Sequence, residues 1–247
     1  MRRQIGIPWL VPGAPFPPTT QALEEPNGLL ALGGDLRVDT LLRAYERGIF
    51  PWFNENQPLL WWTPDPRLVL DPAEFHLSRS LRKLLRRGHF EFSIDQAFAE
   101  VMTACADTLR PDQDGTWITD DILSAYHALH VAGHAHSIEV WHQGLLVGGL
   151  YGVNLGQAFF GESMFSHADN ASKAALALLC LLQDVHGIRL IDCQMETPHL
   201  LSLGARTLSR PDFEAVLATC VTPANTWSWP HPRTSLADYR ARYRLTI

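Results

Sequence analysis

The sequence predicts an α+β fold, on three observations. Between His136 and Phe160, short stretches of β-branched, aromatic and apolar residues are separated by tight-turn signals, the pattern of an antiparallel meander. Ala171 to Val185 is a long apolar helix, and Arg189 to Cys193 is one further strand that slots beside the meander. Strands, a buried helix and a returning strand make a sheet with helices packed on it.

Along the chain, residues 1 to about 20 read as an extended, proline-rich arm. Pro26-Asn27-Gly28 and Gly33-Gly34 mark turns, and Asp39 is expected to cap a short helix running through Arg47 and stopping at Gly48. Ile49 to Phe53 and Trp61-Trp62 give an aromatic density that suits either a small core or a stacking surface. Pro64 and Pro66 mark a domain boundary, dividing residues 1–65 from 66–247. Ser78 caps a helix to Arg87, with Gly88 past its end. Its Leu77, Leu81, Leu84 and Leu85 share one face, and Arg79, Arg82, Lys83, Arg86 and Arg87 the other. That cationic face suits plain solvation, but it lacks the interspersed acids of most surface helices, and phosphate contact is the sharper reading.

Thr119 caps a helix to Ala132, with Asp120 and Asp121 in its first turn and Ile122, Tyr126 and Leu129 on one face. The meander then runs His136 to Trp141, Leu145 to Val153 and Gln157 to Phe160, with turns at Gln143-Gly144 and Asn154-Leu155-Gly156. Asn170 caps the apolar helix. After Cys193, a short helix from Pro198 to Leu203, a strand-like Ala205 to Leu208 and a helix from Pro211 to Cys220 follow. Past Thr222 the chain is rich in Pro and Trp and carries no assignable element.

With 46% hydrophobic and 19% charged residues, the composition is that of an ordinary globular protein. A net charge of -6 excludes a wholesale nucleic-acid coat but leaves a local basic patch open. Cys105, Cys180, Cys193 and Cys220 are scattered and are expected as reduced, buried thiols. The opening Met1-Arg2-Arg3 is followed by Pro8, Pro12, Pro15, Pro17 and Pro18, which leave no signal-peptide apolar stretch. Ala174 to Leu182 is too short to cross a bilayer. A cytoplasmic protein is expected.

His127, His130, His134 and His136 straddle Gly133 without completing a zinc spacing, so no metal is expected. Gly148, Gly149 and Gly152 read as a bulge or a close backbone approach, not a phosphate loop. No run of the coenzyme-A-cradling kind is present. In an alternating strand Asp192 and Gln194 face one side and Cys193 the other. Together with Glu162 they are expected at the rim of a pocket walled by Leu150, Phe159, Met164 and Ile191. Carboxylates buried without partners are costly, so such a pocket calls for a cation.

Several segments carry a resemblance. They are Glu25 to Leu36, Arg47 to Phe53, Trp61-Trp62 with Pro64 to Arg67, Gly115 to Thr119, Gly133 to Trp141, Gly161 to Ser166, Asn170 to Lys173 and Leu190 to Gln194. In these, over about residues 16 to 217, the chain resembles the leucyl/phenylalanyl-tRNA–protein transferases. The resemblance implies a small N-terminal domain and a C-terminal acetyltransferase-like (GNAT) domain with a mixed, mostly antiparallel sheet. It implies transfer of Leu or Phe, less often Met, from tRNA to the α-amine of proteins beginning with Arg or Lys, which marks them for N-end-rule degradation. No cofactor is expected, and the chain is expected to act as a monomer. Matching positions assign Trp52 and Trp117 to the tRNA 3′-adenosine. Leu150, Phe159, Met164, Leu176, Leu179 and Ile191 fall to the aminoacyl pocket, and Glu162 and Asp192 to the acceptor. Leu179 and Gln183 stand where the family has aromatic pocket residues, and the C-terminal tail matches none of its pattern.

An aminoacyl ester is already activated, so no covalent nucleophile is required, and positioning supplies much of the acceleration. Gln194 is expected to hold the amine and carbonyl, and Asp192 to draw off the proton, sharing that role with the terminal ribose hydroxyl. Arg79, Arg82, Lys83, Arg86 and Arg87 are expected on the tRNA backbone. Two further readings fit the same acidic pocket: an aminoacyl-tRNA-dependent ligase acting on a cell-wall peptide, and a non-catalytic adaptor for protein N-termini.

Overall fold

The computed structural model describes residues 6–108, 116–222 and 229–245. Residues 1–5 of the proline-rich arm and Gly115 of the Gly115 to Thr119 motif lie outside them.

The chain opens with a small four-stranded sheet and one helix: β1 (Trp9–Leu10), β2 (Leu29–Gly33), α1 (Val38–Tyr45), β3 (Phe50–Pro51) and β4 (Leu60–Trp62), in the order β1-β2-β4-β3. The arm therefore contributes an edge strand, with Trp9 opposite Leu32 in parallel register. Arg47 fastens the arm by donating to the carbonyls of Phe16 and Pro17 at 2.9 and 2.8 Å. Arg37, not Asp39, is the N-cap of α1. Asp39 sits inside the first turn, where its carboxylate suits the helix dipole and accepts from Arg43 at 2.9 Å.

The larger sheet follows: β5 (Arg67–Leu70), α2 (Arg79–Arg86), β6 (Glu91–Ile94), α3 (Phe98–Ala106), α4 (Asp120–Val131), β7 (Ala135–His142), β8 (Leu145–Leu155), β9 (Ala158–Ser166), α5 (Ala171–Leu181), α6 (Gln183–His186), β10 (Leu190–Gln194), α7 (Pro198–Ser202), β11 (Arg206–Leu208), α8 (Arg210–Val221), β12 (His231–Ser235) and α9 (Leu236–Tyr243). Its strand order is β11-β5-β10-β9-β8-β7-β6-β12. Every neighbouring pair is antiparallel except β9 and β10, which run parallel. The sheet is mixed and mostly antiparallel, as expected.

Strand alternation sends neighbouring residues to opposite apolar layers. Leu68, Leu70, Phe159 and Ile191 join the layer of α2, α5 and α9, whereas Val69, Phe160 and Leu190 join that of α3, α4, α8 and the small N-terminal sheet. The N-terminal elements thus share one core with the large sheet. Gly48 marks how closely they approach: a Cβ there would lie 2.4 Å from the Phe213 ring. Arg210 ties the same seam, donating to the carbonyls of Thr63 and Thr19 at 2.9 and 3.3 Å.

Ser78 and Thr119 cap α2 and α4 through their hydroxyls as expected. Asn170 is the N-cap residue of α5 as expected, but with a left-handed φ of 65° and no side-chain bond to the helix. The apolar helix also stops early, breaking at Leu182 into α6. Gly148 lets α5 lie on the sheet, since a Cβ there would meet Ala171 Cβ at 2.4 Å. β8 runs on through Asn154 and Leu155, so the turn is narrower than expected; Asn154 bridges it by donating to the Ala158 carbonyl at 2.9 Å.

The tail without an assigned element forms β12 and α9. Trp229, 2% exposed, stacks between the rings of His136 and His186 at 4.3 and 4.2 Å. Burial holds His186 down at about 3, so the stack has a neutral imidazole on that side. Among the described residues, no helix is long and apolar enough to cross a membrane.

Candidate active site

Two strand irregularities build the site. Tyr151 pairs with Ser163 and Gly152 with Gly161, leaving Glu162 as the extra residue of a bulge in β9. In β10, Asp192 pairs with Val69 and Gln194 with Leu68, leaving Cys193 extra, and Gln194 takes a φ of 62°. Parallel pairing between β9 and β10 ends at Phe160 and Asp192. Beyond that point the strands part, and the opening between them becomes a cleft. The β9 bulge restores Met164 to the apolar side while Glu162 turns to the opposite layer.

The cleft has a volume of about 600 Å³. Leu150, Phe159, Met164, Leu176, Leu179 and Ile191 all line it, and so do Trp52 and Trp117. Gln183, paired with Leu179 in the sequence comparison, lies in α6 and does not line it. Cys193 does line the cleft, and burial pushes its thiol well up, so it is an apolar wall and not a thiolate.

Glu162 and Gln194 come together: the Gln194 side-chain amide donates to Glu162 Oε1 at 2.9 Å. Sequence reasoning missed the two groups that hold Glu162 from behind. Tyr45, the last residue of α1, donates to Oε1 at 2.7 Å, and Tyr126 of α4 donates to Oε2 at 3.0 Å. The two phenols also touch each other. The sequence signal is a hydroxyl within an apolar helix stripe, that of Ile122, Tyr126 and Leu129. A carboxylate has about four lone-pair sites, so one on Oε2 remains for a ligand. Burial pushes Glu162 up to about 7; the two tyrosines pull down and the nearby Asp192 charge pushes up further.

The arrangement expected of Asp192 needs correction. Its side chain is fully buried and faces away from the cleft, with Oδ1 and Oδ2 accepting from Arg67 Nε and Nη2 at 2.8 and 2.6 Å. Arg67 is itself fully buried between the rings of Phe50 and Phe213, each 4.8 Å from its guanidinium carbon. The cation expected for this carboxylate is therefore a residue of the fold. Alternation was the wrong guide, because the β10 bulge separates Asp192 from Gln194. Asp192 instead holds the bulge, accepting the Gln194 backbone N–H at 2.9 Å.

The basic helix α2 buries Leu81 and Leu85 and leaves Arg79, Arg82, Lys83, Arg86 and Arg87 exposed. It packs on α5, which supplies Leu176 and Leu179 to the cleft, and on α9, whose Arg242, with Arg244 just past the helix end, is exposed. None of these cations lines the cleft. Of the histidines, His130 Nδ1 lies 2.8 Å from the Ala135 carbonyl, and His136 Nδ1 lies 2.8 Å from Asp95.

Comparison with known proteins identifies the family of the chain. The family profile described as leucyl/phenylalanyl-tRNA protein transferase matches residues 69–218, and the profile of that family's N-terminal domain matches residues 34–65. The leucyl/phenylalanyl-tRNA–protein transferase of Pseudomonas fluorescens (strain Pf-5) is 60% identical over 198 residues, covering 80% of this chain and 87% of that protein. That of Azotobacter vinelandii is 55% identical over 214 residues, covering 87% of this chain and 94% of that protein. A ribosomal-protein-alanine N-acetyltransferase structure from Brucella melitensis biovar Abortus 2308 aligns with a TM-score of 0.33 and 16% identity, over 59% of this chain and 99% of that one. The chain is an aminoacyltransferase and belongs to the leucyl/phenylalanyl-tRNA–protein transferase family.

Proposed function

We propose that the cleft receives Leu or Phe, and less often Met, as an ester on the 3′ end of tRNA and passes it to the α-amine of a protein beginning with Arg or Lys. The product would be an N-end-rule degradation signal. One observation carries the reading: an apolar cavity ends at a carboxylate and an amide, Glu162 and Gln194, joined at 2.9 Å. The apolar walls suit an uncharged amino-acid side chain, and the polar end suits an amine meeting an ester.

In this reading the amine nitrogen bonds to the ester carbon, the ribose oxygen leaves, and one proton passes from nitrogen to that oxygen. Gln194 holds the reacting groups. The free lone pair on Glu162 faces the amine and helps keep it neutral, since a carboxylate near 7 is matched to the working pH. Asp192, sealed against Arg67, acts as a positioning residue that keeps the Gln194 bulge in place. Trp52 and Trp117 offer faces for the terminal adenosine. The cations of α2, with Arg242 of α9 and Arg244 just past its end, bind the tRNA backbone. Residues 1–65 and 66–247 are read as two domains around a common core, and the chain as a cytoplasmic monomer.

The test is direct transfer. With radiolabelled Leu-tRNA, the protein should label an Arg-initiated protein and leave a cell-wall peptide precursor unlabelled. Label on the precursor would turn the reading to a cell-wall ligase, and no label on either to an adaptor.

A further inference from the structure

We infer that Glu196 is the residue that selects a cationic side chain on the acceptor. The inference rests on the acceptor class proposed above and adds to it the group that would read the charge. Among the described residues, the carboxylates lining the cleft are Glu162 and Glu196. Glu162 has three of its lone-pair sites filled by Tyr45, Tyr126 and Gln194, and its remaining site is needed by the reacting amine. Asp192 is closed off by Arg67. A second positive charge on the acceptor, carried at the end of its side chain, therefore meets no free acid at the cleft floor.

Glu196 answers that need at the rim. Its side chain is exposed and makes no hydrogen bond or ion pair with any described residue. Its backbone, in contrast, is fixed on both sides. Before it, the Gln194 N–H is held by Asp192 and the Met195 N–H donates to the Cys193 carbonyl at 2.8 Å. After it, Thr197 caps α7 by accepting from the Leu200 N–H at 3.2 Å, with Pro198 in the first turn. The carboxylate is thus free while its anchor is rigid, which lowers the ordering cost of binding. His199 also lines this rim, and burial together with Lys173 pulls its imidazole down, so it does not offset the Glu196 charge near neutral pH.

An exposed ion pair of this kind corresponds to a change of about two- to fivefold in affinity. The experiment uses the full chain, saturating Leu-tRNA, and three peptides that differ only in beginning with Arg, Lys or Ser. E196Q should raise KM for the Arg and Lys peptides about two- to fivefold, leave kcat in place, and flatten the salt dependence of that KM. E196K should raise it further and leave the Ser peptide unaffected. Glu196 has no described partner to lose, so both variants should melt with the wild type. If the wild type prefers Arg and Lys and both variants keep the wild-type KM, the role of Glu196 is overturned and the acceptor class stands. If the wild type handles the Ser peptide as well as the others, the acceptor class itself fails.

Discussion

Removing the charge of Asp192 tests whether this residue belongs to the scaffold or to the chemistry. In the Asp192→Asn variant the Arg67 guanidinium stays charged and fully buried between Phe50 and Phe213, with no anion in place. Breaking a buried pair from one side costs about 3–5 kcal/mol. For a chain of this size each kcal/mol moves the melting temperature by roughly 2–4 °C, so the variant should melt about 6–20 °C lower. Replacing both partners by apolar residues, Arg67→Met with Asp192→Leu, removes both desolvation penalties and should recover most of that loss. The double variant still deprives the Gln194 N–H of its acceptor, so stability should return without transfer activity. Thermal denaturation of the single and double variants, paired with the Leu-tRNA transfer assay, reads both effects. A single variant melting within about 2 °C of wild type, or a double variant melting no higher than the single one, would refute the account of a sealed pair.

Transfer should rise with pH through about 7, because protonated Glu162 can neither accept from the acceptor amine nor take its proton. Tyr45→Phe and Tyr126→Phe each remove a donor to the ionised form, so each should move that rise upward by about one pH unit; a downward move in the pH–rate profile contradicts the assignment. Gly152→Ala puts a Cβ 2.2 Å from the Phe160 carbonyl, and calorimetry should register a loss of about 1–3 kcal/mol or more. Trp229→Ala empties the space between His136 and His186 and should cost about 3–5 kcal/mol in urea titration; a neutral result would detach the tail from the core. Reversing the charges of Arg79, Arg82 and Lys83 should weaken tRNA binding and flatten its salt dependence by about 0.9 per lost phosphate contact, and an unchanged slope returns α2 to a solvated face.

Much of this molecule is legible in local sequence. The hydroxyls of Ser78 and Thr119 mark helix starts because a helix leaves its first N–H groups unsatisfied, and those caps form as expected. The meander reads from apolar and β-branched runs set between turn signals, and an apolar wall from Leu150, Phe159, Met164 and Ile191, which end up around one cavity. Asn170 marks the start of α5 correctly, but its left-handed backbone leaves the side chain without a capping bond. The tail gave no periodic signal, since β12 and α9 are short and owe their place to contacts made elsewhere, above all the stacking of Trp229.

The sequence by itself determined that strands and an apolar helix would bring Glu162 and Gln194 to one greasy cleft, because hydrophobic periodicity and turn residues act over a few positions. Only the tertiary structure decided what each polar group does there. Arg67 lies 125 residues from Asp192, and Tyr45 lies 117 from Glu162. Whether a carboxylate is left open to a substrate or closed by a partner depends on such distant pairings, and on a one-residue bulge that no alternation pattern foretells.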